Sequence, residues 1–392
     1  MVLLCFVILV AVGAILVWHF LPANNKALVK QGVSNSPVTI PTGGGSNSNS
    51  TQSSPLPNYT FNQCASNNVN NCCNGVDTIC DLKVNEILIA SLHNGQSSVD
   101  EGFYLVANQQ YKFEIALEAG FRGMKVEMGV CNGQLLMIHG VCGLGSRDPL
   151  QAFQDLAAFF AKNPREVFVL QLEFQVIDNV AVNINDVYAL MKQANLTQYI
   201  YVKPDLAAYW PTMRELINNN TRLLTFTYGG PSCMSNEPCP TGIYDWFYYG
   251  RETQYTFTDV AALENVSYAC NITRGQGGYG DFFAVNNFIT DILPSKTDAQ
   301  IVNQKPFVVA HMDACAKYNN HSVNIIFVDF WNYGNLVQVQ QEYNMALGNG
   351  TAHQRRLLRQ RLTQALAATS DPYPDDESRR SGTIRDDTGS ST

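Results

Sequence analysis

The chain predicts an α/β fold, a TIM-type (β/α)8 barrel, and three observations carry that prediction. Apolar, β-rich runs occur at 86–92, 121–128, 134–139, 166–173, 222–228, 243–249, 281–288 and 323–330. Helical patterns follow at 107–119, 149–162, 184–194, 211–219 and 335–347. Strands separated by helix-length segments imply βαβ units and a parallel sheet. About eight such strands over roughly 290 residues favour a barrel over a doubly wound sheet. The third observation is negative: no Gly-x-Gly-x-x-Gly follows the first run, which disfavours a dinucleotide site.

Each element has a local reason. The first run, from Glu86, ends in His93-Asn94, and the 134–139 run ends in His139-Gly140. A titratable group finishing a buried strand is awkward for packing but natural at a barrel mouth, where strand C-termini carry catalytic groups. Pro149 fits the first turn of its helix, where a missing N–H costs nothing. The glycine-rich stretch Gly275-Gln-Gly277-Gly278-Tyr-Gly280 precedes a strand instead of opening a helix, so it reads as a loop and not a phosphate cradle.

Outside the barrel the composition changes. Residues 1–23 are apolar and free of charge, which fits a cleaved signal peptide or an uncleaved signal anchor equally. Residues 24–62 form a low-complexity linker, 63–350 the barrel domain, and 351–392 a charged, disordered tail. The 392-residue chain carries a net charge of −8, which excludes nucleic acid as a partner. Beyond Cys5 an even ten cysteines remain with no zinc-ribbon spacing, so disulfides are expected, with Cys131–Cys142 and Cys233–Cys239 the natural local pairs. Connectivity among Cys64, Cys72, Cys73 and Cys80 stays open. Asn-x-Ser/Thr sequons at Asn49, Asn58, Asn195, Asn219, Asn265, Asn271, Asn320 and Asn349 agree with a secreted or membrane-anchored glycoprotein whose domain faces the lumen or exterior.

Two histidines on strand ends suit a general base and a general acid, because imidazole titrates near neutrality and can take either role. Five segments then follow in register: Ser91-Leu-His93-Asn94; Asn108-Gln109-Gln110; Ala119-Gly120-Phe-Arg122-Gly-Met-Lys125-Val-Glu127; Leu136-Met-Ile-His139-Gly140; and Asn163-Pro-Arg-Glu166 through Glu173. Together with Val323 through Phe330 they resemble the catalytic X-region of the phosphatidylinositol-specific phospholipase C-like phosphodiesterases, over roughly residues 80 to 347.

That resemblance implies a barrel that is often distorted or incompletely closed, acting on a phospholipid or glycolipid phosphodiester at a membrane surface. It implies His93 as the base that takes a proton from a neighbouring substrate hydroxyl and His139 as the acid that protonates the leaving alkoxide. Asn94 would bond phosphate or ligate a metal, or serve only as a turn residue ahead of Gly95. Glu173 would orient a histidine or hold a metal, or be a salt-bridged strand end. Asp329 would orient His93 or cap the helix near Gly334. Trp331, after the last strand, either offers a stacking face for a sugar or inositol ring or packs as an ordinary core aromatic. Metal-dependent relatives use acidic calcium ligands around positions 125 and 127; here Lys125 stands beside Glu127. Residues two apart on a strand share a face, so Lys125 would repel Ca2+ held by Asn94, Glu127 and Glu173, and would supply the positive charge itself. No cofactor is therefore expected. The alternative is that Lys125 merely pairs with Glu127, leaving an impaired barrel that acts as a surface or extracellular binding glycoprotein. Paired glutamates would suit a glycosidase, but the strand-end histidines argue against it.

Overall fold

A computed structural model describes residues 56, 59–61, 63–64 and 72–350, apart from 206, 229–241, 276–280 and 291–292. The expected leader, most of the expected linker, the expected tail and the expected Cys233–Cys239 pair lie outside the described residues.

In chain order the strands are β1 (Ile89–Leu92), β2 (Gly123–Cys131), β3 (Gln134–Met137), β4 (Phe168–Phe174), β5 (Leu223–Tyr228), β6 (Ile243–Asp245), β7 (Gly250–Thr253), β8 (Ile272–Arg274), β9 (Phe282–Asn286) and β10 (Ile325–Val328). The helices are α1 (Phe113–Ala119), α2 (Pro149–Lys162), α3 (Ile184–Gln193), α4 (Met213–Asn218), α5 (Trp246–Tyr249), α6 (Val260–Glu264), α7 (Val266–Ala269), α8 (Lys296–Val302), α9 (Lys305–Asn319) and α10 (Leu336–Asn349).

Parallel ladders link β6, β5, β4, β2, β1, β10, β9 and β7 in that order. Read from β1, this is the chain order of eight parallel strands wound round one axis, as a (β/α)8 barrel requires. Among the described residues no ladder joins β6 to β7, so the barrel is open there. Strand β8 lies antiparallel on the free edge of β7, and β3 is a hairpin arm on β2.

Two expectations need correction. The 134–139 run is not a barrel strand but the returning arm of that hairpin, turned back through Asn132 and Gly133, both at positive φ. The missing barrel strand is β7, just past the single strand expected over 243–249; within that span only Ile243–Asp245 is strand, and Trp246–Tyr249 makes one helical turn capped by the Asp245 side chain. Alternation of apolar residues cannot separate a short strand from a turn of helix.

The helices obey their end signals. Asp148 caps α2 by accepting from Leu150 N–H, with Pro149 at the first turn, and Thr212 and Glu215 form a reciprocal capping box on α4. Helix α1 begins at Phe113, later than the expected 107, because Asn108 and Gln109 bond the Ser97 carbonyl in a loop. At the base, Arg122 is fully buried, bonds Glu166 at 2.7 Å and lies over the Phe61 and Phe159 rings, so it braces the floor.

Candidate active site

The strand pleat aims alternate residues inward, and the register of β2 on β4 opposes Lys125 to Gln171 and Glu127 to Glu173. Lys125 and Glu127 therefore share the inner face, with Glu173 beside them on the next strand. His93 follows the last residue of β1, and His139 stands just beyond β3, in the loop closed by the Cys131–Cys142 disulfide, where Ile138 N–H donates to the Glu127 carbonyl.

His93 is buried, stacked on Phe288 with ring centroids 3.8 Å apart, and places Nδ1 2.8 Å from an Asp329 carboxylate oxygen. Asn108 and Thr290 donate to the same carboxylate at 3.0 and 3.4 Å. Burial, then the charges of Lys125, His139 and Arg274, hold the His93 imidazole well below its ordinary value. Burial drives the Asp329 carboxyl the other way, well above the usual carboxylate range. Because Asn108 and Thr290 already donate to its two oxygens, Asp329 is assigned as the acceptor of Nδ1–H, and that assignment leaves the Nε2 lone pair as the free basic position. Asp329 does not cap the following helix, whose N-cap position is Asn335. Gln109, fully buried, donates to the His93 carbonyl at 2.7 Å and to the Val328 carbonyl at 3.0 Å, tying the end of β1 to that of β10.

His139 points Nδ1 at the Val106 carbonyl, 2.6 Å away, and Nε2 towards Glu127 at 3.8 Å. Glu127 accepts from Asn94 Nδ2 at 2.9 Å, Gly140 N–H at 2.9 Å and Gln175 Nε2 at 3.3 Å. Asn94 is also the turn residue, at φ 44°.

Lys125 does not pair with Glu127, contrary to the alternative reading; its ammonium lies 3.1 Å from Glu173 and over the Tyr228 ring. Burial raises the Glu173 carboxyl, but Lys125 and Arg274 outweigh it and hold the group below the usual range. A divalent cation between Glu127 and Glu173 would lie against that ammonium, and both Glu127 oxygens already accept N–H bonds. This donor set does not fit calcium. Elsewhere, Cys270, His311 and Cys315 lie close enough to hold a metal, but the two thiols form a disulfide.

Of the expected residues, His93, Asn94, Lys125, Glu127, His139, Glu173 and Asp329 come together. Trp331 does not. Its ring is buried in the helical layer against Phe121 and Tyr111, lining a crevice between α1 and α10, because the chain leaving β10 turns outward at Phe330, φ 43°. Two residues that the sequence alone did not assign to the site complete the wall. Arg274 on β8 bonds Glu252 on β7, which also accepts from Tyr228 at 2.8 Å and Asn286 at 2.9 Å. Arg274 lies far from the motif segments in sequence, and only the β7–β8 pairing brings it in.

Residues 79–344 match the sequence model of the family PI-PLC X 1. A curated relative from Arthroderma benhamiae, described as PI-PLC X domain-containing protein 1, is 25% identical over 293 residues, covering 69% of this chain and 89% of the relative. A second protein from that fungus, described as an uncharacterized secreted protein, is 22% identical over 303 residues, covering 71% of this chain and 65% of its own length. Among solved structures, the phosphatidylinositol-specific phospholipase C from Listeria monocytogenes is similar at 15% identity and TM-score 0.46, over 69% of this chain and 96% of that one. With the family match spanning the whole barrel from before β1 into α10, the chain belongs to the PI-PLC X domain family.

Proposed function

We propose that this chain is an extracytoplasmic phosphoric diester hydrolase acting on a phospholipid or glycolipid phosphodiester. The observation that carries the reading is the pair of imidazoles at the mouth. His93 is held by Asp329 with Nε2 free, and His139 is held by Val106 with Nε2 facing inward across Glu127. In this mechanism Nε2 of His93 takes the proton from a substrate hydroxyl as its oxygen attacks phosphorus. The bond from phosphorus to the leaving oxygen breaks, and His139 returns a proton to that oxygen. Charge collects on the phosphoryl oxygens, and Lys125 provides the buried cation facing them, so no calcium is required. Asn94 and Glu127 position His139 and the phosphate, and Glu173 keeps the ammonium in place.

Exposed apolar side chains on loops leaving the strand C-termini, among them Tyr104, Leu105, Val176 and Leu293, favour contact of the mouth with a lipid surface. Four disulfides among the described residues favour an oxidising compartment, and one relative is described as secreted. A second reading, a barrel retained as a binding glycoprotein, draws on the Lys125–Glu173 ion pair, which spends the cation on a protein carboxylate.

The deciding experiment is turnover on vesicles of phosphatidylinositol, lysophospholipid or sphingomyelin, with chelator and with calcium. Turnover that survives EDTA supports the reading. Activity abolished by EDTA and restored by calcium overturns the metal-free mechanism. Head-group binding without turnover of any substrate favours the second reading.

A further inference from the structure

Six of the sequon asparagines, Asn195, Asn219, Asn265, Asn271, Asn320 and Asn349, fall on described residues, and all six are exposed. Four of them, separated by much of the sequence, gather at one end of the barrel. Asn195 follows α3, and Ile200 a few residues later bridges to Leu223, where β5 begins. Asn219 caps α4, whose first residue, Met213, donates to the Leu82 carbonyl ahead of β1. Asn320 caps α9 shortly before β10 starts at Ile325. Asn349 ends α10, where the neighbouring Gly348 packs against Thr78, again ahead of β1. All four positions are therefore on the base, at the N-terminal ends of the strands. Asn265 and Asn271 belong to the excursion between β7 and β8, which the Cys270–Cys315 disulfide ties to α9 in the outer layer. Every other segment leaving a barrel strand at the mouth is free of sequons.

We propose that Asn195, Asn219, Asn320 and Asn349 carry N-linked glycans that clothe the base, leaving the mouth bare so that the barrel docks mouth-first on a lipid surface. At each site the side-chain amide nitrogen bonds C1 of an oligosaccharide carried on a lipid pyrophosphate. The C1–O bond to pyrophosphate breaks, and the nitrogen loses one proton. All four asparagines stand at or beyond the last turn of a helix, and Asn195 and Asn320 are in the left-handed region, so substitution at the amide disturbs no helical hydrogen bond. A hydrated glycan of this bulk would hold whichever face bears it away from a bilayer. The choice of lipid as the occupant of the mouth rests on the proposed activity and on the exposed apolar side chains around it.

The test uses the full chain secreted from a eukaryotic host. Peptide mapping after glycosidase treatment should find all four base sites occupied; unmodified asparagine at most of them overturns the proposal. Ala181→Thr, an exposed change on the mouth loop after β4, completes a sequon at the exposed Asn179. Once mapping shows the added glycan, co-flotation with phosphatidylinositol-containing vesicles should fall at least tenfold and return on glycosidase treatment. Undiminished flotation overturns mouth-first docking. Enzymatic deglycosylation of the folded wild-type protein, which avoids any folding defect of Asn→Gln variants, should leave flotation unchanged; lost flotation would mean the base makes the contact. Neither mapping nor flotation needs turnover. A protein with this asymmetry and no activity would sink the phosphodiesterase reading and leave this one standing.

Discussion

With Nδ1 of His93 held 2.8 Å from Asp329, the ring presents Nε2 alone to substrate, and breaking that contact has a defined consequence. Asp329→Asn keeps the shape but can donate to Nδ1, which favours the tautomer with the proton on Nε2; kcat should fall by about 10²-fold or more, with little change in KM. His93→Ala and His139→Ala should each lower kcat by about 10²- to 10⁴-fold, and wild-type turnover in either would remove it from the acid/base pair. Lys125→Met should cost roughly 10²-fold in kcat if the ammonium faces the phosphoryl charge, measured on phosphatidylinositol vesicles with EDTA present. Unchanged turnover would reduce Lys125 to a wall residue. The histidines, Lys125 and Glu127 were legible in the sequence because they end or alternate along apolar runs. The partner that Lys125 takes was not, since Glu127 is nearer in sequence and only the β2–β4 register offers Glu173.

Helix α10 is held to β1 by amide side chains as well as by packing. Asn344 accepts from Leu88 N–H and donates to its carbonyl, both at 2.9 Å, and Gln340 accepts from Ala90 N–H. Strand β1 pairs with β2 only at Ser91 and Leu92, so these side chains take the place of missing ladder bonds. Asn344→Leu would leave a buried N–H and C=O without partners, and denaturant unfolding should show a loss of about 2–4 kcal/mol. A loss under about 0.5 kcal/mol would mean that water or rearrangement satisfies the strand. An apolar-pattern reading finds α10, with its expected span of 335–347, but cannot say that its polar residues point at a strand. The hairpin of β2 and β3 was misread for a related cause: its arm is as apolar as a barrel strand, and only pairing direction separates them.

Across the whole molecule, acid should weaken the fold through His311, a buried residue of α9. Its Nδ1 contacts Asn287 Oδ1 at 2.9 Å, and burial pushes the imidazole down from 6.5 to about 4. Below pH 6.5 the unfolded chain takes up a proton that the folded chain refuses. The stability tied to the neutral ring is therefore complete above that pH and lost as pH falls towards 4, by about 3 kcal/mol. His311→Leu should flatten this part of the slope; equal acid sensitivity in variant and wild type, by denaturant titration at pH 7 and pH 4.5, would refute it.

Strand-like runs spaced by helices determined a barrel of parallel strands, and polar residues at the ends of those runs determined which groups reach its mouth. Both follow from local rules, the alternation of a strand and the exposure of its C-terminal end. Tertiary structure decided the rest: where the barrel opens, that Lys125 pairs with Glu173, that Trp331 turns into the helical layer, and that Arg274 and Glu252 line the wall. Register, pairing direction and the path of the chain after a strand depend on contacts between residues far apart in sequence, and no window along the chain contains both partners.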